Sequence, residues 1–217
     1  MNEFLLNALA TLLVTIDPIG LAPIFLAVTR GADQKVRRSI AQRSSLIAFV
    51  ILVVFALTGS TLLEFLGISL AAFRIAGGLL LFWIAFEMVF EKREKRKQQT
   101  ADKALQADAA TATAPEDLRH LAVFPLAIPL IAGPGAISAT ILLATQAPGP
   151  LGLAGLIAVV ALLIGSCLLV FTAAHRVDRL LGETGRNVLT RLLGVLLSAL
   201  AVQFVADGVI RLAQDAV

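Results

Sequence analysis

The sequence predicts an all-α membrane protein: six transmembrane helices forming two inverted three-helix repeats, the first helix of each repeat broken or kinked at Pro/Gly. Three observations predict this. Hydrophobic residues make up 58% of the 217 and charged residues only 15%, with a mean hydropathy of +0.89, against about 25% charged in a typical soluble domain. That much apolar surface cannot be hidden from water in a chain of this size, so the solvent must largely be lipid. Second, the apolar residues gather into six segments, each approaching the ~20 residues needed to cross ~30 Å of hydrocarbon. Third, Asp17-Pro18-Ile19-Gly20 and Gly133-Pro134-Gly135 interrupt two of those segments at corresponding places.

The first segment runs from about Phe4 to Thr29 and holds the first interruption. Its N-terminal end has no basic stretch and no small-residue cleavage site, so Phe4 onward reads as a retained helix and not a signal peptide. A basic turn from Arg30 to Arg38 follows. The second segment covers about Leu46 to Leu66, and Gly67-Ile68-Ser69 connects it to the third, about Ala71 to Phe90. The fourth spans about Leu121 to Thr145, the fifth Leu151 to Ala174 after the Ala147-Pro148-Gly149-Pro150 turn, and the sixth about Leu192 to Ile210.

Charge sets the expected orientation. Residues 30–43 hold five Lys and Arg, residues 91–120 hold seven and residues 175–191 hold four, which leaves only Arg74 and Arg211 on the other loops. The positive-inside rule places the three basic loops in the cytoplasm and both termini outside. The same blockwise distribution argues that a pI near 9.5 reflects topology, not nucleic-acid binding. Residues 91–120 form the one long polar stretch. It divides the chain into a first repeat (1–90), a basic and Ala-rich cytoplasmic linker (91–120), and a second, inverted repeat (121–217). The linker reads as solvated, helical at first and then disordered, or as a basic cluster for anionic head groups.

The halves match internally. Arg74-Ile75-Ala76-Gly77-Gly78-Leu79-Leu80 aligns with Arg191-Leu192-Leu193-Gly194-Val195-Leu196-Leu197, and Pro18 aligns with Pro134 at nearly the same spacing. With an odd number of spans in each unit, the halves must lie in opposite orientations, as in the inverted repeats of secondary transporters. Proline lacks an N–H and clashes with the preceding turn, so each first helix should be interrupted. Asp17-Pro18 reads as an N-cap and N1 pair, and Gly133-Pro134 as a second restart. A restarted helix presents free N–H groups and the positive end of its dipole, where an anion binds. The expected substrate or ion site is therefore Asp17, Pro18 and Gly20 with Thr15 on one side, and Gly133, Pro134 and Gly135 with Ser138 on the other. Asp17 would cap its own backbone or hold an amino group, a cation or a proton. Hydroxyls such as Thr15, Ser138 and Thr140 commonly back-bond to their own helix.

Other polar residues have structural readings. Arg74 and Arg191 are expected to snorkel, and Glu64 and Glu87 to be interfacial. Gln203 and Asp207, four apart on one face, are expected to hydrogen-bond across helices. Gly77, Gly78 and Gly194 suit close helix packing, and Cys167 a small packing role. His120 and His175 lack neighbours at metal-ligand spacing. With no phosphate-cradling loop and no nucleophile–base pair, neither an ATP-driven machine nor an enzyme is expected, and no cofactor is.

Asp17-Pro18-Ile19-Gly20-Leu21-Ala22-Pro23-Ile24-Phe25 and Pro129-Leu130-Ile131-Ala132-Gly133-Pro134-Gly135-Ala136-Ile137-Ser138 resemble the MarC family of bacterial integral membrane proteins. Phe73-Arg74-Ile75-Ala76-Gly77-Gly78 and Ala201-Val202-Gln203-Phe204-Val205-Ala206-Asp207-Gly208 fit the same family. The resemblance implies a six-helix protein of the bacterial inner (cytoplasmic) membrane, with some relatives described as transporters of small neutral amino acids. The expectation is a secondary transporter of small solutes working by alternating access, coupled to H+ or Na+, in contact with membrane lipids and compatible with a homo-oligomer. The alternatives are a non-transporting membrane protein that binds lipid or assists a complex, and a carrier of cations or drug-like molecules.

Overall fold

Where glycine and proline fall decides where the helices start and stop. The computed structural model describes residues 1–109 and 126–215, and within them every regular element is helical. In order these are α1 (Asn2–Ile16), α2 (Ala22–Val28), α3 (Gln34–Phe65), α4 (Leu70–Val89) and α5 (Lys92–Ala109). A π-helical turn (Leu126–Ile131) precedes α6 (Pro134–Gln146), α7 (Gly149–Thr172) and α8 (Ala174–Asp215), which is broken at Gly182. The later part of the linker, including Pro115 and His120, and the start of the fourth segment lie outside the described residues.

Among the described residues, four helices are long and apolar enough to cross a membrane: Gln34–Phe65, Leu70–Val89, Gly149–Thr172 and Thr184–Gln214. The first and fourth expected segments are interrupted instead of continuous. α3 begins twelve residues before the apolar run, because nothing between Gln34 and Leu46 breaks a helix; the supposed basic turn is therefore largely helical. It ends in a Schellman motif, with Gly67 at φ +69° and Ile68 N–H donating to Leu63 O at 2.9 Å. Ser69 caps α4 by accepting from Ala72 N–H at 3.1 Å.

The outside of the spans is greasy. Leu46, Val50, Val54 and Leu57 of α3 are exposed, as are Leu162 and Leu169 of α7, while Ala41, Ser44, Ala48, Leu52 and Ala56 of α3 face inward. Small residues inside and large apolar ones outside is what close helix packing in lipid requires.

α4 and α8 form the tightest contact, and they run antiparallel. Gly208 faces the carbonyl of Ala71, Gly78 faces that of Ala201, and Gly194 faces that of Ala85; a Cβ there would sit 2.9 to 3.1 Å from those oxygens. The contacts recur every seven residues on both helices, so one small-residue seam joins them. Arg74 is drawn into this seam. It is buried, not snorkelling, because its Cβ packs where Gly208 leaves no side chain. Gln203 Nε2 donates to Asp207 at 2.7 Å within α8, and not across helices. Around the seam, α3 packs on α6 and α7, α1 on α6 and α7, and α5 on α2 and α4.

Candidate substrate cavity

Breaking a helix leaves backbone groups that need partners, and the two breaks solve this differently. At the end of α1, Asp17 takes a left-handed conformation (φ 56°, ψ 67°) and acts as the C-cap, its N–H donating to Leu13 O at 2.9 Å. The expected N-cap role is not what the structure shows. The N-cap of α2 is Leu21, with Pro23 in its first turn. The chain turns through Pro18, Ile19 and Gly20 first, and the Asp17 carboxylate closes that turn by accepting from Gly20 N–H at 3.1 Å. Gly20 is required here, since a Cβ would lie 2.2 Å from Asp17 Oδ2.

The turn leaves the carbonyls of Val14 and Thr15 without a next turn to bond to, and α1 has no basic residue in its last turn. Arg93 of α5 supplies the donors. Its Nη1 donates to Val14 O at 3.2 Å and its Nη2 to Thr15 O. One turn later Lys97 pairs with Asp17 Oδ2 at 3.3 Å. Arg93, Lys97 and Ala101 are all buried, whereas Lys92, Lys95, Arg96, Gln98 and Gln99 are exposed. The start of the polar stretch is thus one helix with a buried basic face, docked on the broken end of α1. Solvated-linker logic fails for that face because capping a broken helix in apolar surroundings is worth more than exposing two cations.

On the other side, Ile128 is extended, the Ile128–Pro129 peptide is cis, and α6 restarts at Pro134 with Gly133 as N-cap. A Cβ on Gly133 would come within 2.5 Å of Pro129 O. The expected restart is therefore present, and the fourth segment is broken and not merely bent. Among the described residues no side chain caps α6. Pro134 has no N–H, and the first inherited bond is Ile137 N–H to Gly133 O at 3.0 Å. Gly135 and Ala136 present their N–H groups with no recorded acceptor among the described residues.

Between the breaks lies a cavity of about 320 Å³, within the range of small-molecule sites. Thr15, Arg93, Arg96 and Lys97 line one side, Pro129, Gly133, Pro134, Gly135 and Ala136 another, and Leu80 and Ile84 the apolar wall. Of the sequence-predicted residues, Thr15, Gly133, Pro134 and Gly135 come together on it. Asp17 stands behind it, held by Gly20 and Lys97, and Pro18 and Gly20 shape the turn. Ser138 lies further along α6 and does not line it. Thr15 lines it while its hydroxyl donates to Thr11 O at 2.7 Å, and Thr140 likewise back-bonds to Ala136 O. Arg96 reaches Glu87 at 2.9 Å, and Glu87 also accepts from Trp83 Nε1. That ion pair buries Glu87, which interfacial logic would expose.

The charge balance is uneven. Two buried cations, Arg93 and Lys97, face one buried carboxylate, Asp17, since Arg96 is engaged by Glu87. Burial is the main force pulling both cations below their ordinary pKa values. For Lys97 it acts together with neighbouring Arg93 and outweighs Asp17, bringing the ammonium down to about 8. The arrangement can accept one more negative charge, directed at the start of α6. Sequence reasoning missed Arg93 and Lys97. Their only signal was i, i+4, i+8 spacing with the small, apolar Ala101.

Lipid-facing spans packed around a cavity walled by interrupted helices define a polytopic helical membrane protein. The chain belongs to the MarC family: residues 2–213 match the family described as MarC family integral membrane protein. It is 36% identical over 209 residues to a UPF0056 membrane protein of Archaeoglobus fulgidus, covering 95% of this chain and 92% of the relative. It is 35% identical over 198 residues to the UPF0056 membrane protein YhcE of Escherichia coli K12, covering 91% and 88%. A UPF0056 membrane protein of Aquifex aeolicus is 34% identical over 213 residues, covering 96% and 94%. No solved structure matches.

Proposed function

We propose that the protein is an inner-membrane secondary transporter of small solutes carrying a carboxylate, small neutral amino acids among them. The observation that carries this reading is the excess buried positive charge of Arg93 and Lys97 beside the uncapped start of α6. A substrate carboxylate on Gly135 and Ala136 N–H would balance that charge. The apolar wall of Leu80 and Ile84 suits a small aliphatic side chain.

Alternating access would come from two inverted halves. Exchanging the halves maps α3 onto α7, α4 onto α8, and the α1–α2 segment onto the Leu126–Gln146 segment. The packing survives this exchange: α1 on α7 corresponds to α6 on α3, and the α4–α8 seam maps onto itself. With the basic segments in the cytoplasm, α5 closes the cavity from that side. A proton or sodium ion would be coupled through the Asp17–Lys97 pair.

Purified protein in proteoliposomes tests the reading. Uptake of a radiolabelled small neutral amino acid, such as alanine or serine, should saturate and compete with its neighbours. It should be lost in Lys97→Met. Imposed proton and sodium gradients then identify the coupling ion. Uptake no faster than in empty liposomes, for every small carboxylate offered, would sink the proposal.

A further inference from the structure

A second cavity, of about 470 Å³, opens where α2, α3, α7 and α8 meet, and it shares no lining residue with the first. Its walls are of two kinds. Phe25, Leu26, Ala41 and Phe171 are apolar, with the rings of Phe25 and Phe171 stacked at 4.6 Å. Arg37, Arg38 and His175 are basic or donor-bearing.

Arg37 is fixed in place. Its Nε donates to Thr29 O at 3.3 Å and its Nη1 lies 3.0 Å from His175 Nε2. A guanidinium only donates, so His175 Nε2 is the acceptor in this contact. Arg37 Nη2 and the whole Arg38 guanidinium have no acceptor among the described residues. The turn of α3 that carries them has no acidic residue, and Asp33, its exposed N-cap, makes no side-chain cap. Cations at the positive end of a helix are unfavourable, and an anion between them and that helix start would relieve the conflict.

The surface beyond the cavity indicates what carries the anion. Along α3 the exposed positions Arg38, Gln42, Leu46 and Val50 follow one another at four-residue spacing, so one stripe passes from basic to apolar. The cavity lies at the end of the spans that the charge count assigns to the cytoplasm, where a lipid phosphate resides.

We propose that this cavity binds the phosphate of an anionic phospholipid, with Arg37 and Arg38 as its ligands and the acyl chains along Leu46 and Val50. Planar guanidinium donors match phosphate oxygens in pairs, and the stacked phenyl rings form the floor beneath the glycerol.

The test is lipid retention. Protein is equilibrated in vesicles of equal phosphatidylglycerol and phosphatidylcholine, re-extracted in mild detergent, and its retained lipid is measured by native mass spectrometry. Phosphatidylglycerol should be enriched several-fold over the vesicle ratio. Arg38→Gln, which removes an exposed and unpaired side chain and so leaves folding intact, should reduce the enrichment. Arg37→Gln with Arg38→Gln should abolish it. Arg176→Gln with Arg179→Gln, nearby but outside the cavity, should leave it unchanged. Equal retention of the two lipids overturns the proposal, as does equal loss in the control pair, which would indicate diffuse charge. Release of the lipid by added inorganic phosphate would assign the site to a free anion and overturn the lipid assignment.

Discussion

Asp17 shows how much one residue's role depends on what reaches it from elsewhere. Its carboxylate closes its own turn on Gly20 and balances Lys97, eighty positions away. Replacing it by Asn leaves two buried cations facing no carboxylate, and removing one partner of a buried pair costs about 3 to 5 kcal/mol. Asp17→Asn should therefore lower thermal stability in detergent sharply, and Asp17→Asn with Lys97→Met should recover most of the loss. A double-mutant cycle by thermal unfolding checks this; strictly additive losses would show that the pair contributes nothing. Gly20→Ala should resemble Asp17→Asn, because its Cβ displaces the carboxylate.

Lys97 also gives a pH signature with two opposite slopes. Its folded value, about 8, lies below the ordinary 10.5. Between those values the unfolded chain holds a proton that the folded chain has released, so its contribution makes stability rise with pH across that window. Affinity for a carboxylate needs the ammonium, so it should fall as pH passes about 8. Substrate binding followed from neutral to alkaline pH reads the second slope, and Lys97→Arg should move the fall upward.

At the scale of elements, helix existence was legible and helix edges were less so. Apolar runs between basic blocks locate α3, α4, α7 and α8, because lipid demands length and greasiness and both are visible in composition. The two restarts were legible as Pro and Gly positions, and Gly133-Pro134 behaves as read. Asp17-Pro18 does not, since an Asp before Pro equally serves as an N-cap or as the left-handed end of the previous helix. Which one prevails depends on Arg93, whose contact with Val14 and Thr15 leaves no trace in local sequence. The buried face of α5 was hidden for the same reason: six charges in six residues, Lys92 to Lys97, read as solvent-facing unless a broken helix end awaits two of them.

The seam between α4 and α8 supplies a sharper expectation. Gly78→Leu or Gly194→Leu places a branched side chain against a backbone carbonyl about 3 Å away. Each should separate the two helices and abolish monodisperse extraction, read by size-exclusion chromatography. Gly165, around which nothing lies within 4 Å of an added Cβ, should accept Leu without that effect.

For the whole molecule, the proposed inverted arrangement predicts which positions share a side of the membrane. Single cysteines at the exposed positions Arg38 and Lys95 should react with an impermeant maleimide only from the cytoplasmic face. Cysteines at Ile68 and Leu151 should react only from the opposite face. The native Cys167 is fully buried and supplies a quiet background. Labelling of Ile68→Cys and Lys95→Cys from one side would contradict the arrangement.

The capping of α1 by α5 has a consequence for synthesis. The carbonyls of Val14 and Thr15 leave the ribosome 78 to 79 residues before the guanidinium that satisfies them. At about 5 to 20 residues per second, that is a delay of several seconds. Throughout it the first segment lacks the donors that finish its end, and it should be held less firmly in the membrane. Nascent chains halted before residue 92 should leave that segment extractable by alkali, whereas chains halted well beyond α5 should hold it firmly. The order in which the protein is made thus differs from the order in which it becomes membrane-stable.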